Sequence, residues 1–208
     1  MESYQRQTIW EKDRFLKKQT KLKTLILFLL IILFSKNIIG ADLNFKVQEY
    51  IKNLNFFSSK FIQSSADSID EGYLYIQNGK IRLDYFNPHR TIKIGPKKGV
   101  YINHELEEEE FFSVDQNIIG VFYKIFLNYD FFSEIELKEN KGEIIFEKNI
   151  MVSSKKTTLR VFFENNPLLI RKIIAKTDNE IISLSFNEHN HNNVFEKGFF
   201  SFVPIYLD

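Results

Sequence analysis

Residues 69–103 read IDEGYLYIQNGKIRLDYFNPHRTIKIGPKKGVYIN, and the turns in this stretch set the grammar of the chain. Asn78-Gly79, Asn87-Pro88 and Gly95-Pro96 are turn signals that divide it into short segments. Between them apolar and polar side chains alternate, as in Ile81-Arg82-Leu83-Asp84-Tyr85 and Thr91-Ile92-Lys93-Ile94. A period of two puts one set of side chains on each face of a sheet, so the stretch predicts a meander of antiparallel strands with one apolar face.

The same alternation recurs on both sides. Upstream, Phe57, Ser59, Phe61 and Gln63 alternate in FFSSKFIQ, which predicts a first strand over residues 56–63. Before it, Leu43, Val47, Tyr50, Ile51 and Leu54 fall at helical spacing over residues 42–55, an amphipathic helix packed by one face. Downstream, strands are expected at 134–138, 142–148, 157–163, 168–176 and 180–186, with turns at 140–142, 164–167 and 177–179. Residues 117–128 (NIIGVFYKIFLN) break the pattern, because nearly every position is apolar. They predict a short helix, either buried in the core or covering something apolar. The acidic run Glu105, Glu107, Glu108, Glu109 and Glu110 is expected at a solvated hairpin tip, since neighbouring strand side chains point to opposite faces and cannot converge on one cation. About ten or eleven strands with segregated helices make an α+β domain built on a large antiparallel sheet.

Charge divides the chain differently. Residues 1–41 carry eight Lys/Arg against three Asp/Glu, a net of +5, whereas residues 42–208 carry 20 against 24, a net of −4. Within the basic head, residues 25–34 (LILFLLIILF) are uninterruptedly apolar. As a helix they would span ~15 Å, about half of the ~30 Å hydrocarbon layer. Lysines before this run and Gly40-Ala41 after it read as a signal peptide over residues 1–41, the alternative being an uncleaved membrane anchor. The chain has no cysteine, so an exported body would rely on burial rather than disulfides; 167 residues suffice for one domain, 42–208.

Sites for chemistry are not apparent in the sequence. It contains no Gly-x-Ser-x-Gly elbow, phosphate-cradling glycine loop or His-Glu-x-x-His helix. His189 and His191 stand two apart in EHNHNN, a spacing open to a metal but set in a polar loop; His89 and His104 have no partner in sequence. The net negative body disfavours nucleic acid despite 22 Phe and 9 Tyr. No enzyme, cofactor or metal is therefore expected. The apolar content suits either a carrier of something apolar or an aromatic-rich core.

Several ordered motifs point further. Phe57-x-x-x-Phe61-x-Gln63, then 71–76 (EGYLYI), then 79–85 (GKIRLDY) followed by Pro88, resemble the opening of the periplasmic outer-membrane lipoprotein carriers, the LolA family. Residues 91–94 with 99–102 are similar to that family's next hairpin, and 199–204 (FFSFVP) to its closing F-x-F-x-P strand. One motif departs. The family commonly has Arg-Pro ahead of the glycine, whereas this chain has Gln77-Asn78, so the arginine thought to latch the family's lid has no counterpart there. Arg82 shares the strand but faces outward if Ile81 and Leu83 face inward.

The resemblance implies a half-barrel of about eleven antiparallel strands, closed by short helices over an apolar cavity for the acyl chains of lipoproteins. It also implies a monomeric periplasmic carrier that receives lipoproteins from an inner-membrane ATP-driven releasing complex and delivers them to the outer membrane, usually through a receptor lipoprotein. Alternation nominates Phe57, Phe61, Leu74, Ile76, Ile81, Leu83, Tyr85, Ile92, Ile94 and Tyr101 in the first half as the cavity lining. Leu159, Val161, Phe163, Ile182, Leu184 and Phe186 complete it, and Ile118, Ile119, Phe122, Ile125 and Phe126 form a lid. The rival readings are a membrane-anchored module that senses lipid or lipoprotein on a related half-barrel, and a sheet protein with a filled core.

Overall fold

The computed structural model of the protein describes residues 36–114, 118–133, 137–152 and 154–206, and leaves the side chains of residues 36–42 and Tyr129 undescribed. The chain divides into two units, Met1–Asp42 and Leu43–Asp208. The apolar run at 25–34 and the expected strand start at 134–136 lie outside the described residues.

Helix α1 spans Lys36–Lys52. It begins before the predicted 42 and ends three residues earlier than the predicted 55. Its buried positions from residue 43 onward are Leu43, Val47 and Ile51, spaced four apart on one face, and Leu54 is buried just beyond its end. Eleven strands follow: β1 Phe57–Ser64, β2 Ile69–Gln77, β3 Lys80–Tyr85, β4 Arg90–Ile94, β5 Lys98–Asn103, β6 Glu108–Ser113, β7 Lys138–Asn140, β8 Glu143–Val152, β9 Lys155–Asn165, β10 Leu168–Lys176 and β11 Ile181–Asn190. Between β6 and β7 come helix α2, Ile118–Leu127, and a 3-10 turn, Tyr129–Phe132.

All the strands join one antiparallel sheet in the order β6-β5-β4-β3-β2-β1-β11-β10-β9-β8-β7. Two meanders therefore meet at the β1–β11 pair, and the segment carrying α2 links the two free edges. The sheet is not closed. Hairpins follow the turn chemistry: Asn78 and Gly79 (φ 49° and 72°) and Lys141 and Gly142 (φ 51° and 81°) are the paired left-handed residues of two-residue loops.

Register lines up the inner-face side chains in cross-strand rows. Phe57, Ile76, Ile81 and Ile94 form one, and Leu74, Leu83, Ile92 and Tyr101 the next. In a third, Phe61 lies opposite Gly72 and Tyr85 pairs with Arg90. Gly72 is required there because a Cβ would sit 2.1 Å from the Asp84 carbonyl oxygen and 2.8 Å from the Phe61 ring. Phe57, Phe61, Phe126, Phe132, Phe146 and Phe163 are all less than 2% exposed. Each such burial stabilises by about 1.5–3 kcal/mol, which supports a fold that has no disulfide to lean on.

The motif at 199–204 does not form the closing strand that the resemblance implied. Residues 195–206 lie across the outer face of β2–β6 without strand structure. Every central strand already has two neighbours, so these phenylalanines bury themselves by stacking on the sheet instead. Phe199 packs edge-on against Tyr75 at 5.1 Å, and the Arg82 guanidinium lies 4.1 Å from its ring centre. Arg82 does face outward, donating to Asp84 at 2.8 Å and to the Phe199 carbonyl at 2.9 Å. Lys93, 4% exposed, donates to the Ser201 carbonyl at 2.8 Å, and burial pushes its ammonium below the usual lysine range.

The acidic run is split between a turn and the edge strand β6, where charge discourages pairing with other chains. Glu109 also holds the tail, accepting from the backbone N–H groups of Ile205 and Tyr206 at 2.5 and 3.2 Å.

Candidate functional site: a pocket under helix α2

Strong apolarity makes α2 dock by most of its circumference. Gly120, Phe122, Ile125 and Phe126 are buried, while Ile119, Val121, Tyr123 and Leu127 pack partly against the core. The helix approaches closely at Gly120, where a Cβ would stand 2.0 Å from the Val114 carbonyl oxygen. Tyr123 tethers its flank to the β2–β3 turn by donating to the Gly79 carbonyl at 3.2 Å.

Between this helix and the sheet lies a pocket of about 280 Å³. Strands β3, β4 and β5 supply Leu83, Tyr85, Ile92, Ile94 and Tyr101, and α2 supplies Ile118, Ile119 and Phe122. Ile182 and Leu184 of β11 close the far wall. Two polar residues join them, Gln63 of β1 and Arg90 of β4. A second pocket of about 270 Å³ shares Ile118 and Ile182 with the first and continues past them between Val152, Thr157 and Ala175 to Lys155 and Glu180.

The sequence-nominated residues thus separate into two groups. Leu83, Tyr85, Ile92, Ile94, Tyr101, Ile182 and Leu184 line the first pocket, with Ile118, Ile119 and Phe122 from the nominated lid. Phe57, Phe61, Leu74, Ile76, Ile81, Leu159, Val161, Phe163 and Phe186, together with Ile125 and Phe126, belong to the buried core without lining this pocket, whereas Leu83, Tyr85, Ile94 and Phe122 belong to both. Helix α1 and the 3-10 turn cover that region: Tyr50 meets Phe163 edge-on at 6.1 Å, and Phe132 meets Phe146 at 4.8 Å and Phe163 at 5.7 Å. Alternation assigns a side chain to a face but says nothing of which part of that face a helix fills. Gln63 and Arg90 were not nominated; their even spacing with inner-face neighbours, Phe61 before Gln63 and Arg90 before Ile92, was the available signal.

The polar atoms of the pocket are few. Tyr85 donates its hydroxyl to Gln63 Oε1 at 2.9 Å, and burial pushes its phenol up to about 12, so it stays a neutral donor. Arg90 lies with its guanidinium carbon 4.2 Å from the Tyr85 ring centre, and its Nη2 pairs with Asp70 Oδ2 at 3.0 Å. Its Nε is buried and has no hydrogen-bond partner among the described residues.

The histidines lie elsewhere. His189 donates from Nε2 to the Ile170 carbonyl at 2.8 Å, and His191 packs 5.0 Å from the Phe57 ring, which makes both part of the wall beside α1. His104 lies on the outer face. Thr91 donates its hydroxyl to Asp84 at 2.8 Å, so His104 Nε2 donates to Thr91 and Nδ1 accepts from the Tyr206 hydroxyl, each at 3.0 Å.

In class, this is an open antiparallel sheet of eleven strands with two α-helices among the described residues. No protein-family model matches the chain, and no curated relative matches it either. Among solved structures it is similar to an uncharacterized conserved protein from Thermus thermophilus, at 8% identity over 72% of this chain and 87% of that one, with a TM-score of 0.48. It is also similar to a DUF1329 family protein from Desulfovibrio piger, at 6% identity over 78% of this chain and 98% of that one, with a TM-score of 0.42.

Proposed function

We propose that the protein is a periplasmic carrier that shields the acyl chains of lipoproteins and moves them from the inner to the outer membrane. The observation that carries this reading is the pocket under α2, walled by Leu83, Ile92, Ile94, Phe122 and Leu184 and set in a sheet that is not closed. Each acyl CH₂ withheld from water is worth ~0.8 kcal/mol, so an acylated protein does not cross an aqueous gap unshielded. At about 280 Å³ the pocket falls just below the ~300–1,000 Å³ range of ligand sites, so several chains require α2 to lift. The half-barrel is then a container with a movable cover, needing no cofactor and no covalent chemistry. Its partners on this reading are acylated lipoproteins, an inner-membrane ATP-driven releasing complex and an outer-membrane receptor; the signal peptide at 1–41 delivers it to the periplasm as a monomer.

The test is release. The purified protein is mixed with spheroplasts that contain an active releasing complex, and the supernatant is assayed for triacylated lipoprotein bound to it. A soluble one-to-one complex is expected. Absence of release with the protein folded would turn the reading toward a membrane-anchored lipid sensor.

A further inference from the structure

Resting on the carrier reading, we infer that Ile118 and Ile182 form a partition that sets the length of chain the pocket under α2 accepts. The two pockets on the inner face are neighbours, and these are the two residues that line both of them. Sheet register places the boundary. On β11, Leu184 borders the first pocket and pairs with Gln63 of β1, which borders it too. Ile182, two residues back on the same face, pairs on its other side with Ala175 of β10, which lines the second pocket and not the first. Beyond Ala175 the second pocket continues past Thr157 to Val152. Ile182 therefore divides the two pockets from the sheet, and Ile118, the first residue of α2, divides them from the helix.

Size gives the partition its consequence. At about 280 and 270 Å³ each pocket falls just below the ~300–1,000 Å³ range of ligand sites, whereas the two joined hold roughly twice as much and lie inside it. The cross-strand partner of Ile182 is an alanine, so the space past the partition is walled by a small side chain. Both partition residues are half-buried and aliphatic. A chain in the wild-type pocket ends against them: methylenes up to that point leave water, and those beyond it stay in solvent. Length selection thus depends on two side chains rather than on the whole cavity wall.

The experiment titrates single-chain alkyl maltosides of about 8 to 16 carbons, each below its micelle concentration, against the full-length protein carrying the fluorescent neutral probe N-phenyl-1-naphthylamine. In the wild type the displacing concentration should fall about fourfold per added methylene and then level off at the length that fills the pocket. In Ile118→Ala the fall continues to longer chains. Ile119→Ala removes the same side-chain atoms from the first pocket alone, so its levelling point moves less. Adding Ala175→Leu to Ile118→Ala fills the second pocket beside the partition and brings the levelling point back. Should melting curves show that Ile118→Ala does not fold, Ile182→Ala carries the same comparison from the sheet side. Equal shifts in Ile118→Ala and Ile119→Ala, a gain that survives Ala175→Leu, or a wild-type series that never levels overturns the partition and leaves the carrier reading intact. Failure of the wild type to bind the probe, or of every maltoside to displace it, overturns the carrier reading as well.

Discussion

Phe122 and Phe126 lie one helical turn apart on α2 with ring centres 4.8 Å apart, yet truncating them should have different consequences. Phe126 is fully buried, stacks edge-on against Phe186 at 5.7 Å and lines neither of the two pockets described above. Phe126→Ala should cost about 3–5 kcal/mol, the range for a phenylalanine removed from close packing. Phe122 is 9% exposed and faces the pocket. With atoms to lose on one side only, Phe122→Ala should cost roughly half as much, ~2 kcal/mol. Urea unfolding reads the difference directly, since each variant shifts the midpoint at unchanged slope. The same Phe122→Ala protein should bind N-phenyl-1-naphthylamine at least as well as wild type, because the pocket has gained volume. Equal destabilisation by the two substitutions, with no change in probe binding, would mean that the gap beneath α2 is closed in solution, and would refute the reasoning.

Gly72→Ala drives a Cβ into the Asp84 carbonyl oxygen and should lower the melting temperature by several degrees, as thermal unfolding would show. Phe199→Ala removes the contacts with Tyr75 and Arg82 that hold the C-terminal segment on the outer face; it should cost about 1–3 kcal/mol and speed hydrogen exchange of the amide protons of residues 199–206 without altering probe binding. Stability should also fall with acidification. Burial depresses His104, His189 and His191 below their ordinary value of 6.5, so the unfolded chain takes up protons first. Their contribution is complete above about pH 6.5 and is lost as pH falls from there toward the depressed values. Melting temperatures measured across that interval should decline, and should decline less in His189→Gln.

Much of the sheet was legible because a period of two is a local property. The segment 69–103 contains its own turns, and Asn78-Gly79 specifies a hairpin whatever the rest of the chain does. The α1 stripe of Leu43, Val47 and Ile51 was legible for the same reason. Where the inner face is filled and where it is left open was not, since that depends on contacts between distant residues: Tyr50 on Phe163, Phe132 on Phe146, and Gly120 against Val114. Leu159 and Leu83 carry the same alternation signal and both join the buried core, yet only Leu83 also borders the pocket under α2. The outer-face position of 199–204 was hidden for a related reason. An aromatic alternation reads as a strand, but a strand needs a free edge beside it, and only the sheet order reveals that none is available there.

On the carrier reading, acyl chains lie between α2 and the β3–β5 side of the sheet. Photocross-linking addresses it most directly. Benzoylphenylalanine is placed at Tyr101, on the pocket wall, or at Phe162, whose neighbours Val161 and Phe163 point into the core and which therefore faces outward, and each protein is loaded with triacylated lipoprotein. A cross-linked lipoprotein adduct is expected from position 101 and none from position 162. Equal labelling from both positions, or labelling from 162 alone, would place the chains outside the pocket and contradict that reading.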